Sequence, residues 1–232
     1  MNIFDLNEDN EVKIEYLEDS PVFTIDNFYK YPEQVYEHIF VSPLNEGKVG
    51  LWKIEQKPSY NGIYFDDRRY SEFDERVMHI YFFLTKLIGD QPFRSLINTN
   101  VTFFNTDEDS LKFNNFNDNY WWPHKDVGYN GIVYFHDQWG TNLYSSELID
   151  DFNEKENKPI NEHHEPWRLK EKYKLLKTLE PSYNRLVLFD GLKFIHGMDV
   201  TNDRYFGNES RNNQVFFFDS VDEQIEYFCV YN

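Results

Sequence analysis

Residues 120–137 read YWWPHKDVGYNGIVYFHD, and the interpretation of the whole chain starts from this stretch. Its first half places His124 and Asp126 two positions apart, behind a group of aromatic residues. Its second half contains GIVYF (131–135), a short apolar run that is typical of a buried strand. Side chains two positions apart on an extended segment point to the same face. The stretch therefore predicts an imidazole and a carboxylate presented together beside a β-strand.

A metal site would need a further ligand from elsewhere in the chain, and His196 is the best candidate. It lies in LFDGLKFIHGMDV (188–200), after a strongly apolar strand and before the turn-forming Gly197. Two histidines and one carboxylate form the facial triad that binds non-haem iron(II) and leaves coordination positions open. Alone, a His-x-Asp pair is a common chance pattern of surface turns, and a lone histidine before a glycine is more often a capping or core residue.

Short strands bounded by asparagine, aspartate or glycine follow one another through the second half of the chain. They are NVTFFNT (100–106), GIVYFHD (131–137), NRLVLFD (184–190) and NQVFFFDS (213–220). The first half predicts strands at EVKIEYL (11–17) and PVFTIDNF (21–28) and helices over 31–40 and 73–87. A further helix is predicted over 168–179. Helices first and strands later indicate an α+β domain with a mainly β core, a barrel or a sandwich.

Composition excludes several classes of protein. The 232 residues include 41 acidic and 23 basic side chains, a formal net charge of -18, so we expect neither duplex nucleic acid nor a membrane as the main partner. The one cysteine, Cys229, excludes an internal disulfide framework and a cysteine-based metal site. The acidic N-terminal residues contain no apolar signal-peptide segment, and no apolar run approaches the roughly 20 residues of a membrane span. These features predict a cytoplasmic protein.

Four stretches resemble the iron(II)- and 2-oxoglutarate-dependent dioxygenases, most closely their prolyl-4-hydroxylase-like branch with its small phage and bacterial members. They are PHKD, GIVYF followed by WGTNLY (139–144), RLVLFDGLKFIHG (185–197) and SRNNQVFFF (210–218). Residues 21–39 and 59–70 are similar to the N-terminal helical part of the phage-type members. The resemblance covers about residues 20–220 and implies one dioxygenase domain over 1–232. Its expected parts are N-terminal support (1–97) and a double-stranded β-helix of jelly-roll or cupin type (98–220), with a charged insertion (145–180).

Carried over residue by residue, the resemblance implies that His124, Asp126 and His196 are the iron ligands and the catalytic centre. It also implies a basic residue on the next strand that holds the distal carboxylate of 2-oxoglutarate. Arg211 matches that position, with Arg204 as a competitor in a polar loop. A guanidinium suits the role because its planar fork pairs with a carboxylate through two hydrogen bonds.

Two further residues are expected at the co-substrate. The resemblance implies Tyr134 as a hydrogen-bond partner of the same carboxylate and Thr141 as the threonine after the family's glycine-rich turn. Trp139 takes the place of the first glycine of that turn. The side chains before His124, at Tyr120, Trp121 and Trp122, would line the substrate entrance or pack in the core.

The activity implied is hydroxylation of a C–H bond in a peptide or small molecule, with consumption of O2 and 2-oxoglutarate and release of succinate and CO2. Two alternatives remain: a non-catalytic cupin-like binding module, which need not carry Arg211, and a viral accessory protein, which would leave the three ligands apart. The substrate and the oligomeric state stay open. The adjacent His163 and His164 predict a polar surface turn. Segment 145–180 would be either a mobile cover over the metal face or a surface excursion far from it.

Overall fold

The computed structural model describes residues 1–41, 53–57, 64–71, 75–89, 92–104, 120–121, 124–126, 128–148, 168–169, 173–199 and 211–220. Within them the chain forms thirteen strands: β1 (Glu11–Leu17), β2 (Ser20–Asp26), β3 (Lys53–Lys57), β4 (Tyr64–Ser71), β5 (Pro92–Phe104), β6 (Tyr120–Trp121), β7 (Tyr129–Tyr134), β8 (Thr141–Leu148), β9 (Arg168–Leu169), β10 (Tyr173–Leu179), β11 (Arg185–Asp190), β12 (Ile195–Met198) and β13 (Arg211–Ser220). The same described residues form two α-helices, α1 (Pro32–Tyr36) and α2 (Met78–Ile88).

The strands build a large and a small antiparallel sheet. The large sheet has eight strands in the order β1-β2-β11-β7-β13-β5-β4-β3, and the small sheet has three in the order β10-β8-β12. A separate two-stranded ribbon joins β6 to β9. The predicted α+β class with a mainly β core is therefore confirmed. The boundary expected near residue 98 falls inside β5, and strands from the N-terminal part join the same large sheet as the core strands.

Side chains alternate between the two faces of the large sheet, and each face packs against a different layer. On β7, Val133 belongs to the cluster that contains the helical residues Val35, Ile80 and Leu84. Its neighbour Ile132 belongs instead to the cluster that contains small-sheet residues such as Leu143. This period of two is what a strand buried on both faces produces. The large sheet thus lies between a helical layer and the small sheet.

The two N-terminal helices lie where the sequence predicts them. Helix α1 has its proline in the first turn and continues as a π-helical turn over Glu37–Val41. Helix α2 follows a 3-10 turn over Glu75–Val77 and ends at Gly89, whose φ of 74° is the left-handed conformation that glycine adopts without steric cost. Among the described residues, no helix is both long and apolar enough to span a bilayer.

The helix predicted over residues 168–179 is wrong, because this part of the chain forms β9 and β10. The pairing of β10 with β8 shifts register twice, between Tyr173 and Leu175 and between Leu175 and Lys177. Such bulges interrupt the alternation of inward and outward side chains by which a strand is recognised. The lysine- and leucine-rich sequence also has a high helix propensity, which pairing with β8 overrides.

The charged segment 145–180 is consequently shorter than predicted. Residues 145–148 complete β8, and residues 173–179 form β10 beside it. Of the remainder, only the two residues of β9 and Glu180 are described. The mobile cover over the metal face therefore stays a prediction that lies mostly outside the described residues.

A graded test of the helix-to-sheet packing is available at Gly131 on β7. A Cβ atom there would lie 3.4 Å from Leu84 Cδ1 and 3.5 Å from Phe216 Cβ, so there is room for one methyl group and no more. We expect Gly131→Ala to leave the free energy of unfolding nearly unchanged. Gly131→Val should lower it by about 1–3 kcal/mol through overpacking. Urea unfolding of both variants measures this, and equal stability of the two would contradict the packing.

Candidate metal centre

The backbone brings the two candidate ligand strands together. His124 and His196 form an isolated antiparallel bridge in which each donates its N–H to the other's carbonyl, at 3.0 and 2.9 Å. Asp126 is held by a bond from its N–H to the carbonyl of Gly191, at 3.1 Å. The Gly191 N–H in turn donates to the carbonyl of Gly128, at 2.8 Å. The His-x-Asp segment therefore lies along the turn between β11 and β12.

That turn has a defined shape because of Asp190, the last residue of β11. Its Oδ1 accepts hydrogen bonds from the backbone N–H groups of Leu192 and Lys193, at 2.8 and 2.9 Å. Gly191 within the turn leaves no space for a side chain, since a Cβ atom would lie 2.9 Å from Gly128 O and 3.1 Å from Asp126 Cβ. A glycine is thus required for the close approach of the two segments.

The three predicted ligands converge. One donor atom from each of His124, Asp126 and His196 lies within 4.8 Å of the other two. Asp126 Oδ2 is 3.1 Å from His196 Nε2 and 3.7 Å from His124 Nε2. The group lies at the edge of the interior, because the side chain of His196 is 5% exposed while that of His124 is 44% exposed. His196 is thereby shielded and His124 borders solvent, while the Asp126 side chain, 26% exposed, is intermediate between them.

The donor set fits a divalent transition metal. The Nδ1 atom of His196 lies 3.1 Å from the carbonyl oxygen of Phe194, which places a ring proton on Nδ1 and leaves Nε2, beside Asp126, as the atom that would coordinate a metal. A backbone acceptor on the far nitrogen is the usual partner of a metal-binding histidine. Two imidazole nitrogens and one carboxylate oxygen are the donors that non-haem iron(II) prefers.

Asp126 is suited to bind a cation because its carboxylate stays ionised. Burial alone would raise its pKa, but the hydrogen bond with His196, the charge interactions with His124 and His196 and the bond from Asn130 hold the pKa well below the usual range. A carboxylate must be deprotonated to coordinate a metal.

Asn130, at the start of β7, belongs to this site and was missed by the sequence analysis. Its Nδ2 lies 2.6 Å from Asp126 Oδ2 and 3.1 Å from His196 Nε2. The sequence gives one indication, the alternation of side chains along a strand, which puts residues 130, 132 and 134 on one face. Alternation alone does not show which end of that face lies near Asp126 and His196.

A second polar group surrounds Arg211, the first residue of β13. The side chain is buried, and its Nε donates to the carbonyl of Trp139 at 2.9 Å while Nη2 donates to Thr141 Oγ1 at 2.9 Å. When the side-chain amide of Asn213 is oriented with its oxygen toward Arg211, that oxygen accepts a hydrogen bond from Nη1 at 2.5 Å. Within the described part of the chain, none of its hydrogen-bond partners is a carboxylate. The guanidinium is therefore a buried cation that no carboxylate of the described residues neutralises.

Tyr134 and Thr141 complete this group. The Tyr134 hydroxyl and Thr141 Oγ1 are 2.7 Å apart, and Arg211 lies 5.7 Å from the centre of the Tyr134 ring. Burial raises the pKa of Tyr134, so its phenol stays protonated. Trp139, which precedes Gly140 in the turn before β8, has a φ of 55°, the left-handed backbone conformation that glycine favours.

The metal ligands and the Arg211 group face the same space between the two sheets. His196 pairs with Leu143 on β8, which packs in that space, and directly paired residues share a face. Thr141 lies two residues from Leu143, about 7 Å along the strand. A short chain with a charged group at each end could therefore contact both groups.

His136 lies beside the arginine. Burial and the charge of Arg211 lower its pKa to about 4. Its Nε2 is 3.0 Å from the side-chain amide of Asn213, which also contacts Arg211. His136 is therefore neutral near pH 7 and adds no second positive charge to the group.

Several predicted site residues lie outside the described part of the chain. They are Arg204, the competitor of Arg211, the adjacent histidines His163 and His164, and Trp122. For Tyr120 and Trp121 the backbone forms β6, and their side chains are not described.

Comparisons with known proteins add little to this geometry. No protein-family model matches the chain, and no curated protein matches it. Among solved structures, an X-ray structure of E. coli ycfD is similar over 96% of this chain, with a TM-score of 0.40 at 11% sequence identity. The matched region spans 58% of that chain.

Gly191→Ala should weaken metal binding more than it weakens the fold. The new Cβ would lie 3.0 Å from Asn130 Nδ2 as well as against Gly128, and it would displace Asp126. We expect Mn(II) affinity, measured by calorimetry, to fall about 10- to 100-fold, as when the support of a ligand is lost. Gly89→Ala is the control, because it strains a left-handed helix end far along the chain and should lower stability alone. Equal Mn(II) affinity in Gly191→Ala and wild type would contradict the close approach.

His136 should make the fold acid-sensitive in a defined window. Its pKa of about 4 in the fold lies below the unfolded value near 6.5, so the unfolded chain binds the proton first as pH falls. The free energy of unfolding should drop between pH 6.5 and pH 4, by about 1–2 kcal/mol at pH 5 after allowance for partial exposure. His136→Gln should lack this part of the pH dependence in urea titrations. A pH profile identical to that of wild type would show that His136 is not held neutral.

Proposed function

We propose that this protein is an iron(II)- and 2-oxoglutarate-dependent oxygenase of the prolyl-4-hydroxylase-like branch. Its reaction would be hydroxylation of a C–H bond, with conversion of 2-oxoglutarate and O2 to succinate and CO2. The two sheets would then be the two halves of a double-stranded β-helix. One observation carries the proposal: three residues that could hold a metal ion face the same space between the sheets as a buried arginine, which pairs with no carboxylate among the described residues.

Iron(II) would be held by His124, Asp126 and His196, the donor set described above. Bound there, the metal supplies activation of O2 and chelation of the 2-oxo acid at the positions that the protein leaves open. The chain contributes the fixed directions of the donors. The Phe194 carbonyl orients the ring of His196, and the backbone bond to Gly191 places Asp126.

Arg211 would bind the distal carboxylate of 2-oxoglutarate. A buried cation is costly to maintain without an anion, and a carboxylate would supply the missing charge. Thr141 and the protonated Tyr134 offer hydroxyl groups beside the guanidinium. Thr141 lies two residues, about 7 Å along the strand, from Leu143, which pairs with His196. The guanidinium is already held in place by hydrogen bonds to neutral oxygens. Binding of the ligand would therefore cost little conformational entropy at this side chain.

The apolar surroundings favour this chemistry. Phe189, Leu143, Ile132 and Val215 pack in the space between the sheets, and the ring of Phe189 meets that of His196 at 5.0 Å. Exclusion of water strengthens charge-assisted bonds and protects reactive species. The exposed side chain of His124 marks the open side, from which a substrate C–H would approach.

Binding and turnover together test the proposal. We expect purified protein with Fe(II) to bind 2-oxoglutarate, seen as the charge-transfer absorption of a chelated 2-oxo acid, and to release succinate when peptides and metabolites are supplied under O2. Arg211→Ala should lose about 2–5 kcal/mol of 2-oxoglutarate binding, while its Fe(II) affinity stays at the wild-type value. His124→Ala should lose the metal itself.

The outcomes separate the alternatives. Fe(II) binding without 2-oxoglutarate binding would favour a cupin-like binding module, and absence of metal binding would contradict both. If Arg211→Ala keeps the wild-type affinity for 2-oxoglutarate while Arg204→Ala loses it, Arg204 is the residue that binds the distal carboxylate. Arg211→Lys distinguishes charge from shape, because a lysine keeps the charge but cannot form the two parallel bonds.

A further inference from the structure

We propose that Asn130 is a positioning residue of the metal centre, whose side-chain amide holds Asp126 and His196 in place for the ion. This inference rests on the proposed metal site and concerns a residue outside the three ligands. Asn130 is 1% exposed and is the second residue of β7, where it pairs with Phe189 on β11 and Phe217 on β13. Hydrogen bonding on both sides fixes its backbone, so the amide is carried by a central strand of the large sheet.

The contacts of Asn130 are directed at the ligand atoms themselves. One nitrogen, Nδ2, lies 2.6 Å from Asp126 Oδ2 and 3.1 Å from His196 Nε2. The contact with Asp126 is a donation from the amide, because an ionised carboxylate only accepts hydrogen bonds. His196 Nε2 lies 3.1 Å from the same carboxylate oxygen, so the amide and the imidazole converge on Asp126 Oδ2. The amide nitrogen thus contacts both His196 and Asp126.

The other end of the amide supports this assignment. Asn130 Oδ1 is buried and has no hydrogen-bond partner among the described residues. Rotation of the amide would place this oxygen against the Asp126 carboxylate, where two acceptors would repel each other. A buried amide that leaves its oxygen unsatisfied is retained for what its nitrogen does.

Metal binding would affect the two contacts of Asn130 differently. The Nε2 lone pair of His196 cannot serve an amide hydrogen and a metal ion together, so that contact must yield. The carboxylate oxygen of Asp126 has a further lone pair and can keep the Asn130 bond while it coordinates. Asn130 would therefore hold the ligands ready before binding and orient Asp126 afterwards.

The test compares Asn130→Leu, which keeps the volume without the donors, with wild type. We expect its Mn(II) dissociation constant to rise about 10- to 100-fold, as for other outer-shell partners of metal ligands. The visible spectrum of the Co(II)-loaded protein should change as well, because Asp126 loses its orientation.

Asn184→Gly is the matched control. Asn184 is a buried asparagine whose amide bonds the backbone of Tyr29, and its φ of 61° suits glycine. This variant should be less stable yet keep the wild-type Mn(II) affinity and Co(II) spectrum. If Asn130→Leu behaves as the control does, Asn130 is only structural and the inference is overturned, while the proposed function stands. If wild type binds no metal, the proposed function and this inference fall together.

Discussion

The antiparallel exchange of hydrogen bonds between His124 and His196 is the contact on which the rest of the site depends. It joins a segment that precedes β7 to strand β12, and Asp126 and His196 are 70 positions apart in the chain. The pairing sets where the two rings and the Asp126 carboxylate lie before any ion is present. Gly191 makes it possible, because any side chain there would meet the Gly128 carbonyl and Asp126.

The large sheet packs against the helices on one face and against the small sheet on the other, and this double packing holds the small site in place. On β7, Val133 packs on the helices, while Ile132 and Tyr134 face the small sheet. On β7, Tyr134 is thus anchored from behind by its apolar neighbours Val133 and Phe135, which pack on the helical side. Interiors packed at this density hold side chains in one rotamer, so the polar groups keep their directions without a ligand.

The space between the sheets has charged groups of opposite sign at its two ends. Asp126 is anionic at one end, Arg211 is cationic at the other, and His136 beside the arginine is kept neutral. A dicarboxylic co-substrate that chelates a cation at one end and meets a guanidinium at the other would complement both. The overall acidity of the chain is a separate matter, since charged groups on the surface are screened by salt within about 10 Å.

The spacing and alternation of residues in the sequence determined several features of the fold and the site. They are the strands at 11–17 and 184–190, the two N-terminal helices, and the shared face of His124 and Asp126. These features depend on local periodicity, which a single chain displays. Only the tertiary structure decided that β10 is a strand, because its pairing with β8 contains bulges that erase the alternation. Likewise, only the fold showed that Asn130 meets the ligands, that Gly191 has no room for a side chain, and which oxygens surround Arg211. Those contacts join residues far apart in the chain, and no local pattern records a long-range approach.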